Sequence, residues 1–144
     1  MKDAMRRTLL SAMIGLAALT QPVAAADDCN DATNTVEINQ CADRAFGLAD
    51  KALNAAYKAV LAKIAADNGG EPSEAKKLEE ALRASQRAWV AFRDADCKGL
   101  VAMEWSGGSG ATSAILFCMM QMTQERTASL TERFLKPDGP ARVP

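Results

Sequence analysis

The run Gln86-Arg87-Ala88-Trp89-Val90-Ala91-Phe92-Arg93-Asp94-Ala95-Asp96-Cys97 decides the fold. It holds no proline or glycine, and its large apolar groups recur at helical rather than strand spacing. Upstream, Leu78, Leu82 and Ser85 continue the face that Trp89 and Phe92 occupy, with Ala81 and Ala88 beside it. The reading is a helix over 74–98, with Ser73 as N-cap and Glu74 in its first turn, where a carboxylate suits the helix dipole. Cys97 ends it.

Working outward, Asp67-Asn68-Gly69-Gly70-Glu71-Pro72 is a turn that ends one helix and admits the next. Before it, Phe46, Ala49, Leu53, Ala56, Val60 and Ile64 recur at three- and four-residue steps. That periodicity gives a first helix over 34–66, opened by a capping-box pairing of Asn34 with Glu37. After Cys97, Gly99–Ala111 reads as the longest connection, because Ser106-Gly107-Gly108-Ser109-Gly110 cannot hold regular structure cheaply. Thr112 or Ser113 then caps a third helix over 112–135, with Leu116, Met119, Met120, Thr123, Leu130 and Phe134 on its inner face. Short connections make sequential helices antiparallel neighbours, so the expected fold is all-α, a small antiparallel three-helix bundle.

The chain's 144 residues do not all belong to that bundle. Lys2, Arg6 and Arg7 precede a short apolar run, Thr8–Leu19, and Ala24-Ala25-Ala26 supplies small residues for cleavage. This is a signal peptide over 1–26, which places the mature protein in the periplasm or outside the cell with no stable membrane insertion after cleavage. Residues 27–136 form the helical domain, and 137–144, with its prolines, reads as a disordered tail. Without the first 26 residues there remain 14 basic and 17 acidic groups, a net charge of −3. No basic block with interleaved aromatics is present, so nucleic acid is not an expected partner.

The absence of histidine rules out His-ligated metals and His-dependent triads. Cys29, Cys41, Cys97 and Cys118 all lie in the exported part and form no C-x-x-C pair, so they read as two disulfides and not as a metal or redox centre. The up–down–up path gathers all four at one end of the bundle. Proximity there leaves all three pairings open. Cys29–Cys41 with Cys97–Cys118 is preferred, since the first ties the leading segment to its helix and the second closes the glycine-rich connection.

Asp50, Asn54 and Tyr57 share a face of the first helix, and Gln86, Trp89 and Arg93 share a face of the second. At matched heights they suggest a structural polar layer with an Asp50–Arg93 ion pair; Arg126 reaches it only after a register shift. A catalytic carboxylate pair drawn from Asp50, Asp94, Asp96 or Glu104 is disfavoured. Asp94 and Asp96 point different ways on a helix, and a glycosidase needs two carboxyl groups facing across a groove. No cofactor motif accompanies them, so an enzyme is not expected.

These residues, taken together, resemble a known family. The ordered set is Cys29, Thr35, Glu37, Asn39 and Cys41; Ala49-Asp50, Leu53-Asn54 and Tyr57; Gln86, Trp89, Phe92-Arg93-Asp94 and Cys97; Gly107-Gly108-Ser109; then Cys118, Thr123, Arg126 and Leu130. It is similar to the N-terminal domain family of the lysozyme inhibitor LprI, a group of exported bacterial proteins. The resemblance implies a helical, disulfide-bearing envelope domain that binds another protein, with a c-type lysozyme as the implied partner. It departs from the naming member, a lipoprotein, in that Cys29 follows Asp27-Asp28 and lacks a lipidation context. The expected contact surface is Glu104, Trp105, Ser106, Gly107 and Gly108, where an acid and an aromatic flank a glycine run. The competing reading is a structural or accessory periplasmic protein with a different envelope or host partner.

Overall fold

A computed structural model describes residues 29–67 and 72–137. The signal-peptide reading over 1–26, the turn residues 68–71 and the tail beyond 137 lie outside the described residues. Among those described, the architecture is the expected helical bundle with two disulfides.

Asn34 sets the start of the first helix. Its extended backbone places Oδ1 to accept the Glu37 amide N–H at 3.1 Å. Glu37 reaches back one residue further than a standard capping box does. Its carboxylate accepts the Thr33 amide N–H at 2.8 Å and the Thr33 hydroxyl at 3.0 Å. Helix α1 then runs over Thr35–Ala66, about 48 Å at 1.5 Å per residue. Chiefly the backbone N–H of Thr33, and then its hydroxyl, hold the Glu37 carboxyl below its ordinary value of 4.5. A depressed native pKa adds stability above the unfolded pKa, and that stability is lost as pH falls through the native one. Glu37→Gln keeps an acceptor but no charge. Its melting temperature is therefore expected to fall less steeply than the wild type's as pH is lowered below the ordinary glutamate pKa, measured by circular dichroism.

Helix α2 begins at Pro72 and is α-helical to Ala95. Proline at the first helical position is tolerated, because its missing N–H would have had no intrahelical acceptor. Ser73 consequently lies inside the helix rather than capping it. The C-terminus also differs from expectation. Instead of stopping at Lys98, the chain widens into a π-helical segment over Asp96–Val101 and closes with an α-turn over Ala102–Glu104. Leu100-Val101-Ala102-Met103-Glu104 contains no breaker, so helical bonding continues through Gly99 and only 105–110 remains as loop.

Helix α3 occupies Ala111–Leu130 and ends in a π-helical turn over Thr131–Leu135. Neither Thr112 nor Ser113 caps it: Gly110 takes the N-cap position, and the Ser113 hydroxyl donates to the Gly110 carbonyl at 3.0 Å.

α1 and α3 are the most closely packed pair. On α1 the buried face is alanine near the stapled end (Ala42, Ala45, Ala49) and larger beyond it (Leu53, Val60, Ile64). Small residues let α3 approach closely there; further along, Leu53, Val60 and Ile64 meet Leu82 of α2 and Leu130 of α3 in the main core. Tyr57, Leu78, Trp89, Phe134 and Leu135 pack around that cluster. Phe92 departs from its expected inward position. It is 60% exposed, because the core side of α2 is already served by Leu82, Trp89 and Arg93. Ala81 and Ala88 are exposed as well.

Cys29–Cys41 and Cys97–Cys118 are both formed, as preferred. The first ties a 3-10 turn over Cys29–Asp31 to α1. The second joins the π-helical end of α2 to the first half of α3, with the Met122 sulfur 3.5 Å from Cys97 Sγ. Asp96 lies near these two sulfurs, but they are bonded to each other and offer no thiolate to a metal.

Candidate functional site

Two arrangements emerge from these helices: a polar layer inside the bundle and an exposed tip at its stapled end.

The layer centres on Arg93, which is 7% exposed. Its Nε and Nη2 donate to Asp94 Oδ1 at 3.0 and 2.9 Å, and its Nη1 donates to Thr123 Oγ1 at 3.2 Å. The guanidinium carbon sits 5.4 Å from the Phe46 ring centroid and 5.2 Å from that of Trp89. A desolvated cation between two ring faces gains from both quadrupoles. The expected Asp50–Arg93 ion pair is not made. Arg93 turns to the carboxylate beside it in sequence and to α3, while Asp50 is held along α1, where Asn54 Nδ2 donates to its Oδ2 and its carbonyl at 2.9 Å each.

Arg126 completes the layer. It donates to Gln86 Oε1 at 3.0 Å and to Ser85 Oγ at 3.1 Å, and stands 5.9 Å from the Trp89 ring. Burial pushes its pKa down, with repulsion from Arg133 adding to this. The layer therefore joins α2 to α3, and both arginines approach the Trp89 ring. Asp94 in turn is shared: Lys98 donates to its other oxygen at 2.8 Å, and this bond, with Arg93's, holds the Asp94 carboxyl below its ordinary value against burial.

The tip is built by the extension of α2. Leu100 is 58% exposed, Met103 76% and Trp105 48%. Glu104 and Ser106–Ser109 are exposed too. The loop turns tightly, with Ser106 and Gly107 in left-handed conformations (φ 47° and 73°), and the Gly108 N–H donates to the Trp105 carbonyl at 2.8 Å. Trp105 is anchored as well as exposed: its indole lies over Gly110, where any Cβ would collide with the ring. The structure thus gathers Glu104, Trp105, Ser106, Gly107 and Gly108 at one end, and adds Leu100 and Met103. Reading 99–111 as loop concealed those two; the unbroken Leu100–Glu104 run was the available signal.

Among the described residues no helix is long and apolar enough to cross a membrane. Residues 26–130 match the family described as lysozyme inhibitor LprI, a span that includes both disulfides, the Arg93 layer and the tip. The chain belongs to the LprI family. A protein of Rhizobium meliloti (strain 1021), named "Uncharacterized protein R02472", is 35% identical over 108 residues, covering 73% of this chain and 77% of that protein. No solved structure matches the chain. Family membership accounts for the ordered cysteines and helix-face residues, since these are the ones that hold the bundle together.

Proposed function

We propose that this protein is an exported inhibitor of a lysozyme-class enzyme and works by occlusion, with the tip as its contact surface. The observation that carries the reading is the family match across 26–130. The tip supports the choice of surface. Leu100, Met103 and Trp105 are large apolar groups left exposed within six residues, and aromatic anchors in a solvent-facing cluster are the usual core of a protein contact. The tight Ser106–Gly110 turn beside them has little side-chain bulk, which suits entry into a cleft. Two disulfides fit an oxidising compartment outside the cytoplasm.

The test is lysis of a peptidoglycan suspension by c-type lysozyme with increasing amounts of the purified protein. Lysis is expected to fall. The double variant Met103→Ser/Trp105→Ser is expected to weaken inhibition at least tenfold, a loss of about 1.4 kcal/mol or more of contact energy, with the bundle still folded. No inhibition by the wild type in large excess would favour an accessory envelope role with another partner. Inhibition unaffected by the double variant would move the contact away from the tip.

A further inference from the structure

The side of the bundle between α1 and α2 is open. These two helices touch far less than α1 and α3 do. A groove of about 500 Å³ separates them, with Asp50, Asn54 and Tyr57 on one wall and Gln86 and Arg87 on the other. Its size falls within the range of small-molecule clefts.

The charges in the groove do not cancel internally in the way the sequence suggests. Arg93 is neutralised by Asp94, and Arg83 by Glu79, whose Oε1 accepts from Arg83 Nη2 at 2.7 Å. Two charges remain. Asp50 has Asn54 as hydrogen-bond partner but makes no ion pair, and Arg87 makes none either among the described residues. They stand on opposite walls. Asp50 lies 16 residues before the last residue of α1 and Arg87 lies 15 after the first of α2, so at 1.5 Å per residue both sit about 23 Å from the connecting turn. They are level with each other, yet they do not form an ion pair.

The neutral groups between them are also set. Gln86 Oε1 is taken by Arg126, which leaves its Nε2 to donate. Asn54 Nδ2 is taken by Asp50, which leaves its Oδ1 to accept. A free donor and a free acceptor of the amide type match the C=O and N–H of a peptide unit. Tyr57, Leu53 and Val90 supply apolar wall.

The geometry points to the α1–α2 groove as a binding site for a short zwitterionic peptide, its terminal ammonium on Asp50 and its terminal carboxylate on Arg87. A guanidinium suits a carboxylate by bidentate hydrogen bonding, and a carboxylate suits an ammonium as a point charge. The site is separate from the tip, so it does not depend on lysozyme inhibition.

The test uses L-alanyl-L-leucine as probe, with its N-acetylated and C-amidated forms, followed by ¹H–¹⁵N NMR of the full protein. Shifts confined to groove residues, saturating in the millimolar range, are expected for the free dipeptide. Blocking either terminus is expected to weaken binding about tenfold, as are Asp50→Asn and Arg87→Gln, with melting temperatures near the wild type's. Absence of groove shifts at about 10 mM dipeptide would overturn the assignment. So would equal binding of either blocked form, or a variant that binds as well as wild type.

Discussion

Arg93→Met is expected to destabilise the bundle by roughly 2–4 kcal/mol, the largest effect of any single substitution outside the apolar core. Methionine replaces most of the apolar stem, so what the variant loses is the cation and its hydrogen bonds. Three bonds disappear, two to Asp94 and one to the fully buried Thr123. Contact with the faces of Phe46 and Trp89 is lost with them. The figure stays below that for a wholly buried ion pair because Asp94 is one-third exposed and keeps Lys98. For a domain of this size the melting temperature should fall by roughly 10–25 °C, read by circular dichroism. Asp94→Asn provides the comparison. It leaves Arg93 with an uncharged acceptor in the same position, and a loss of about 1 kcal/mol is expected. If Arg93→Met melted within a few degrees of wild type, Arg93 would not be what joins α2 to α3.

The sequence makes Arg93 visible but not its partner. Helix spacing places it correctly, facing inward with Gln86 and Trp89. Height matching across an antiparallel pair then selects Asp50, and that choice fails for a physical reason. Heights are set by 1.5 Å rises, but which of two flanking helices an inward side chain addresses depends on how far each stands off. Here the Cys97–Cys118 bond ties the end of α2 to α3 about one turn beyond Arg93. Arg93 accordingly finds Thr123 of α3 close by, and the neighbouring Asp94 supplies the counter-charge without any crossing. Arg126 enters the layer for the same reason.

The disulfides, the helix order and the first cap are legible because each rests on local chemistry or on chain direction. Asn34 needs only the next turn to act as a cap. The four cysteines need only the up–down–up path to meet at one end. The π-helical end of α2 is not legible in that way. Gly99 and the glycines at 107, 108 and 110 mark one loop on composition, yet only the second group breaks the helix. Gly99 has open space around its Cα and tolerates helical bonding. The wider i→i+5 turn inserts an extra residue into the helix and rotates the faces of the residues beyond it. The result is the exposure of Leu100 and Met103, the part of the candidate site that periodicity could not place.

The Cys97–Cys118 bond carries the second large expectation. It closes 21 residues and Cys29–Cys41 closes 12, which in the chain-entropy account gives about 3.3 kcal/mol for the first and about 2.8 for the second. The two then diverge, because of where the sulfurs lie. Cys97 is fully buried beside Met122, so alanine there also leaves a cavity and adds a packing loss of about 1 kcal/mol. Among the described residues, Cys29–Cys41 anchors only a 3-10 turn ahead of α1. Cys97→Ala/Cys118→Ala is therefore expected to lose roughly 4–5 kcal/mol in urea unfolding and Cys29→Ala/Cys41→Ala about 3. Their consequences for the tip should differ more sharply still. The Cys97–Cys118 bond clamps the base from which Leu100, Met103 and Trp105 project, and without it the π-helical segment has no covalent hold on α3. Lysis assays on the two double variants, at a temperature where both remain folded, should show inhibition weakened in the first and retained in the second. Equal inhibition by both would mean that the tip keeps its shape through the indole of Trp105 on Gly110 and the turn at Ser106–Gly107, and that the disulfide serves stability alone.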